Sequence, residues 1–262
     1  MKKTIFCLLC LAYAMACFAS DGVLPGRFSV SPDQQVQFAL GNLQYQPANK
    51  VWRFAESQYD YVGGDANSRI NKNYNGWVDL FGWGTGNEPI AIAEDGKAYL
   101  HFYDWGQNTI HNSGNTSIAW RTLTGDEWFY LLTQRANAEL LRGQATVQNV
   151  HGYILLPDNW QKPKNILFTA NANNWTTNVY ADKQWREMEE SGAVFLPAAG
   201  FRKITESASV QILGFYWSAT DFSDDGKTDE ARNIFFGERR IGPRDHEKRF
   251  YGLSVRLVTD VR

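Results

Sequence analysis

TLTGDEWFYLLTQRAN, Thr122 to Asn137, is the clearest helix signal in a chain otherwise dominated by strand patterns. Thr124 is a residue type suited to an N-cap. Glu127 follows three residues later, the spacing of a capping box. Asp126 and Glu127 match the positive end of the helix dipole. Trp128, Leu131 and Leu132 fall at i, i+3 and i+4, which makes one face apolar. Arg135 suits the last turn. A second, shorter helix is expected at DKQWREMEESG (182–192). Asp182 would cap it, Trp185 and Met188 would face inward, and Gly192 would end it.

Strand signals surround these helices. In VQFALGNLQYQPANKVWRFA (36–55), Val36, Phe38 and Leu40 alternate with polar residues. Pro47 to Lys50 form a turn, and Val51, Trp52 and Phe54 open a partner strand. Further strands are expected at GYILLP (152–157), AVFLPAAGF (193–201), GFYWSA (214–219), RNIFFG (232–237) and LSVRLV (253–258). In the last, Leu253, Val255 and Leu257 alternate against Ser254, Arg256 and Val258. Two helices among many strands, without βαβ alternation, indicate an α+β fold. Residues 56–118 read as a long region rich in Gly, Asn and aromatics, packed by its own side chains. Aromatic residues make up 15% of the chain, with ten Trp, and no fixed repeat breaks it into units.

The N-terminus, MKKTIFCLLCLAYAMACFASDG, has a basic start, a short apolar run and small residues after it. It reads as a signal peptide over residues 1–19, followed by a single domain over residues 20–262. Cleavage after Ala19 or after Ala16 is compatible with it. The AMAC run also loosely resembles a lipoprotein box, in which Cys17 would carry a lipid anchor. All three cysteines lie in this segment. The exported chain would hold no disulfide and would fold on its hydrophobic core. Losing Lys2 and Lys3 with the leader takes the formal charge from −2 to −4. That balance does not suit nucleic acid, and no later apolar run reaches the length of a membrane span. An exported protein, secreted or held at the cell surface or outer membrane, is the expectation.

Eight blocks occur in order: LPGRFSVSPDQQVQFALGNLQYQ (24–46), WRFAESQYDYVGGDAN (52–67), GWVDLFGWGTG (76–86), WRTLTGDEWFYLL (120–132), GYILLPDNW (152–160), GAVFLPAAGFR (192–202), GFYWSAT (214–220) and YGLSVRLV (251–258). Together they resemble the Fibrobacter succinogenes major paralogous domain family of exported Bacteroidetes proteins, over nearly the whole mature chain. That family is similar to the C-type-lectin-like fold, in the branch shared with formylglycine-generating enzymes (the sulfatase-modifying factor fold). RTLTGDEWFYLL and YGLSVRLV carry the deeper likeness. The resemblance implies two helices flanking a twisted, mostly antiparallel sheet with long irregular loops. It does not decide activity, because this fold hosts enzymes and binding proteins.

Chemistry narrows the choice. A copper site of the formylglycine-generating kind needs a cysteine pair, which the mature chain lacks. His101, His111, His151 and His246 show no ligand spacing for an iron triad. Ser218 is not in a G-x-S-x-G elbow, and Glu127 has a capping role that competes with any catalytic one. The triplets of calcium-dependent lectins are absent. The reading is therefore not an enzyme, and no cofactor is expected. One minor exception is DFSDDG (221–226), where Asp221, Ser223 and Asp225 mimic the first half of an EF-hand loop without its closing Glu.

What remains is ligand binding. In variable C-type-lectin-like domains the ligand face lies between the YWSS-like strand and the closing GxSVR strand. Here that interval runs from Ser218 to Arg249. Ser218, Asp221, Asp224, Asp225, Arg239, Arg240, Arg244 and His246 are the candidate contacts, read as parts of surface loops. Trp83 and Trp105, in Gly-rich stretches, are candidate exposed platforms for a sugar or peptide. Trp120, Trp128 and Trp217 are read as core. The expected partner is a protein or glycan. The alternatives are a structural or adhesin subunit of a surface assembly, and an enzyme with an unrecognised site.

Overall fold

The computed structural model describes residues 22–92, 99, 101–114, 117–222 and 229–261. The architecture is α+β, with 37% strand against 14% helix and mostly antiparallel sheets. One sheet joins β1 (Phe28–Ser29), β2 (Gln35–Phe38), β16 (Leu257–Asp260) and β5 (Arg121–Thr122) in that order. β3 (Leu43–Gln46) and β4 (Val51–Phe54) form a hairpin. A second four-stranded sheet runs β8 (Val179–Tyr180), β6 (Arg142–Val147), β7 (Val150–Leu155), β9 (Val194–Pro197), with β6 and β8 parallel. β10 (Phe201–Lys203) lies between β11 (Glu206–Ala208) and β15 (Tyr251–Gly252). A meander of β12 (Leu213–Phe222), β13 (Glu230–Gly237) and β14 (Arg240–Lys248) completes the strands. The α-helices among the described residues are α1 (Gly64–Ser68), α2 (Gly125–Phe129) and α3 (Asp182–Glu190).

The start of α2 follows from its capping chemistry. The Thr124 side chain accepts the Glu127 amide at 3.2 Å, and Glu127 accepts the Thr124 amide at 2.7 Å. Arg121 then grips Glu127 through two hydrogen bonds, of 2.9 and 2.7 Å, and reaches Asp260 on β16. Burial opposes the charge of Arg121, but its bonds to Glu127 and Asp260 outweigh that cost and raise its pKa. The helix end differs from the sequence expectation. Tyr130–Gln134 widens into a π-turn, with the Arg135 amide bonded to the Tyr130 carbonyl. Leu131 and Leu132, within this turn, are both fully buried. α3 is capped at Ala181, one residue before the expected Asp182. Trp185 and Met188 face the core, and Gly192, at φ +96°, follows the helix end.

The interior holds more charge than strand alternation predicts. Leu253 to Val258 are buried on both sides, Arg256 included. Arg256 donates to Gln58 at 2.7 Å, and Gln58 donates to Glu189 at 2.8 Å. Burial lowers the Arg256 pKa to about 10. Arg202, also fully buried, donates to the Leu80 and Ile204 carbonyls, and burial lowers it to about 10 as well. Asp79 accepts from the Val62 amide and from Asn67, yet burial pushes its pKa up to about 6. No helix among the described residues is long and apolar enough to cross a membrane.

Candidate functional site

The meander has two faces because successive strand side chains point to opposite sides. Phe215 and Trp217 on β12, with Ala231 on β13, turn toward an aromatic cluster that includes Trp52, Phe81 and Trp105. The Trp217 indole donates to the Phe81 carbonyl at 2.7 Å. On the opposite face, Tyr216, Ile234 and Phe236 pack with Trp128 and Leu131 of the helical segment. That face continues past the core toward residues 222 and 230, where side chains of all three strands converge.

Arg232 lies opposite His246, and Glu230 opposite Lys248. Phe222 stacks on His246 at 4.1 Å, with 6° between the rings, and the Arg232 guanidinium lies over Phe222 at 4.8 Å. His246 meets Glu230 at 2.8 Å, and Lys248 meets Asp229 and Glu230, each at 2.9 Å. Arg244 reaches across to α2, where it pairs with Asp126 at 3.0 Å and covers the Phe129 ring at 3.7 Å. Side-chain exposure is 49% for Arg244, 36% for His246 and 37% for Lys248, so this is an open patch.

Charges in the patch stabilise each other. Hydrogen bonds from Lys248 to Asp229 and Glu230 raise the lysine pKa, and the bond from Lys248 lowers that of Asp229. The intervening residues Asp245 and Glu247 point the other way. Burial raises both pKa values, and the charge of Asp245 raises Glu247 further.

Several sequence expectations need correction. Trp83 and Trp105 are buried and form no exposed platform. The Trp83 indole donates to the Ser218 carbonyl at 2.9 Å, while Arg249 caps its ring at 4.4 Å. Trp105 packs against Phe81 and Phe102. The glycines around these tryptophans let the chain fold tightly back on the core. A Cβ on Gly106 would lie 2.2 Å from the Trp120 carbonyl oxygen. Ser218 is fully buried, and its hydroxyl donates to the Arg232 carbonyl. Arg249 is buried too, bonded to the Glu230 and Tyr99 carbonyls.

Among the described residues, the interval from Ser218 to Arg249 is thus mainly strand rather than loop, and the candidates described there do not share one surface. Arg239 (φ +64°) and Arg240 sit at the tight turn between β13 and β14. At about 3.3 Å per residue, a strand the length of β14 holds that turn about 26 Å from Lys248. Asp221 lies at the patch end, with an oxygen 3.8 Å from Arg249. The sugar-platform and calcium readings separate here. Asp224 lies outside the described residues, as do Ser223 and Asp225 of the calcium expectation, Cys17 and the leader. Among the described residues, no group of three or more His, Cys, Asp or Glu is placed to hold a metal ion.

Phe222, Glu230, Arg232, Lys248 and Asp126 were not among the candidates. The two-residue spacing of Glu230 with Arg232, and of His246 with Lys248, is the signal that would have grouped them on one face. Comparison of the chain with protein-family models, curated proteins and solved structures finds no match.

Proposed function

We propose that this is an exported, non-catalytic ligand-binding domain of C-type-lectin-like architecture, related to the major paralogous domain family. It recognises a protein or glycan at the bacterial surface. The observation that supports this reading is the convergence of three strands and α2 on one open patch, with His246 stacked on Phe222, Arg244 over Phe129 and Lys248 paired with Asp229 and Glu230. Aromatic rings and an arginine fork that are partly exposed and already held in place suit recognition, because little side-chain freedom remains to be lost on binding. The mixed charges favour a ligand of mixed sign over a polyanion.

The combined variant Arg244→Ala, His246→Ala, Lys248→Ala tests the reading. Glycan arrays and proximity capture at the bacterial surface would identify partners of the wild-type chain. Those partners should bind the variant at least about tenfold more weakly, the loss expected when one or two well-placed polar contacts go. Unchanged binding of every partner would rule out this face.

A second reading, a subunit of a surface assembly, draws on the edge position of β14 in its sheet. An unpaired strand edge can accept a neighbouring chain. Pro243 and the charged residues of β14 blunt that edge, which is why the ligand-binding reading is preferred. A concentration-independent monomer in light scattering would remove the assembly reading.

A further inference from the structure

A second site, separate from the meander, lies over the β3–β4 hairpin. Gln44 and Arg53 sit opposite each other in the hairpin register, and Arg53 donates to Gln44 at 2.9 Å. They form the floor of a cleft of about 320 Å³. Tyr61, Tyr74 and Trp77 wall it with half-buried rings, and Glu56 and Asp60 line its edge. The Arg53 guanidinium lies 3.9 Å from the centroid of the Trp77 ring and donates to Glu56 at 3.0 Å. Gln211 donates to the Tyr61 hydroxyl at 3.0 Å, which orients that ring.

We propose that this cleft binds a neutral saccharide of one or two rings. A sugar ring has one face of C–H bonds and a rim of hydroxyls. Aromatic side chains match the first, because they offer apolar area with few rotatable bonds. Carboxylates and guanidinium groups match the second, as strong acceptors and donors in fixed planes. All of these types meet here in one concavity, which is how small-molecule sites are generally built.

The charge pattern selects a neutral ligand. Arg53 is already engaged by Gln44 and Glu56. Asp60, in the same lining, accepts the Ser57 amide through one oxygen. An anionic sugar would therefore meet two carboxylates and one cation that is already paired.

Two larger depressions lack this combination. The 670 Å³ one, lined by Val23, Gln37, Ile118 and Asp260 among others, has no ring in its wall. The 440 Å³ one contains Phe102 and Tyr103, but its carboxylate, Asp104, is engaged by Thr122 and Gly106.

Titration calorimetry of the full chain with lactose, cellobiose, mannobiose and diacetylchitobiose, and with sialyllactose as the acidic comparison, tests the assignment. At least one neutral disaccharide should bind, and sialyllactose should bind roughly tenfold more weakly than lactose. Trp77→Ala should weaken binding by about tenfold or more, and Asp60→Asn by about fivefold, as expected for loss of a ring contact and a charged acceptor. Asp60→Asn leaves the Arg53–Trp77 stack in place, so it remains informative if Trp77→Ala fails to fold. The meander variant Arg244→Ala should bind these sugars as wild type does, which separates this site from the one above. The proposal falls if no neutral disaccharide binds, if Asp60→Asn binds like wild type, or if sialyllactose is preferred.

Discussion

Arg244 and Arg256 are twelve residues apart and are used in opposite ways. Arg244 keeps about half of its side chain in solvent, where it pairs with Asp126 and covers Phe129. Arg256 is 1% exposed, and its hydrogen bonds among the described residues go to neutral oxygens of Gln58, Asn42 and Leu40. Around Arg244, exposed charges of both signs compensate one another. Around Arg256, the interior must satisfy a cation without a direct carboxylate, and Gln58 relays it to Glu189. The proposed binding would act through the first region. The second is committed to holding the β-strands of the closing segment against their neighbours.

The sharpest way to break that division is Arg256→Ala. It removes a buried fork, leaves polar partners facing a cavity, and should cost about 3–5 kcal/mol, the range for breaking buried charged networks. Arg256→Lys keeps the charge but loses the planar fork, so it should recover only part of that. Arg244→Ala should cost about 0.5 kcal/mol or less. Urea denaturation of the three variants measures this directly. Similar losses for Arg244→Ala and Arg256→Ala would show that exposure does not divide their roles.

Asp79 extends the contrast into pH. Its carboxyl titrates near pH 6 in the folded chain and near its ordinary 3.8 when unfolded. Between those values the folded state holds more protons, so stability falls as pH rises. The favourable contribution is complete below pH 3.8 and lost above pH 6. The full change corresponds to roughly 3 kcal/mol. Asp79→Asn should flatten this part of the profile, so the stability difference between wild type and variant should change by most of that amount, about 2 kcal/mol, between pH 4 and 7. A constant difference would place Asp79 outside the buried, ionisation-resisting interior.

These two interior groups also show where the sequence stopped being legible. The start of α2 could be read in advance because its cap is local: Thr124 and Glu127 satisfy each other across three residues. β2, β4, β7, β9, β12 and β13 are legible in the same local way, whereas β1, β5, β6, β8 and β11 are not. Alternation sets Arg256 on one face with Ser254 and Val258, but it does not reveal that neighbouring segments cover both faces. Trp83 and Trp105 were misread because the contacts that bury them are distant in sequence, with Ser218 and Arg249 for Trp83. The charged run at 237–250 resembles a loop in composition, yet backbone pairing with β13 makes most of it a strand. Only that pairing brings His246 onto Phe222 and separates it from Arg239.

The smallest expected effect lies in the patch itself. Lys248→Ala removes the bonds to Asp229 and Glu230, but both Lys248 and Asp229 are over a third exposed. Water and salt already screen their attraction, so the loss should be at most about 1 kcal/mol. The lysine contribution should be present below its ordinary pKa and lost at higher pH, because its folded pKa is raised. The Asp229 contribution should be lost in the opposite direction, as acid protonates a carboxylate whose folded pKa is lowered. Raising salt to about 1 M, where the screening length is near 3 Å, should shrink the difference between Lys248→Ala and wild type. The cost of Arg256→Ala should hold at the same salt, since a buried network is poorly screened. A salt-resistant loss at Lys248 comparable to that at Arg256 would make the patch a structural element and remove the physical basis for treating it as a recognition surface.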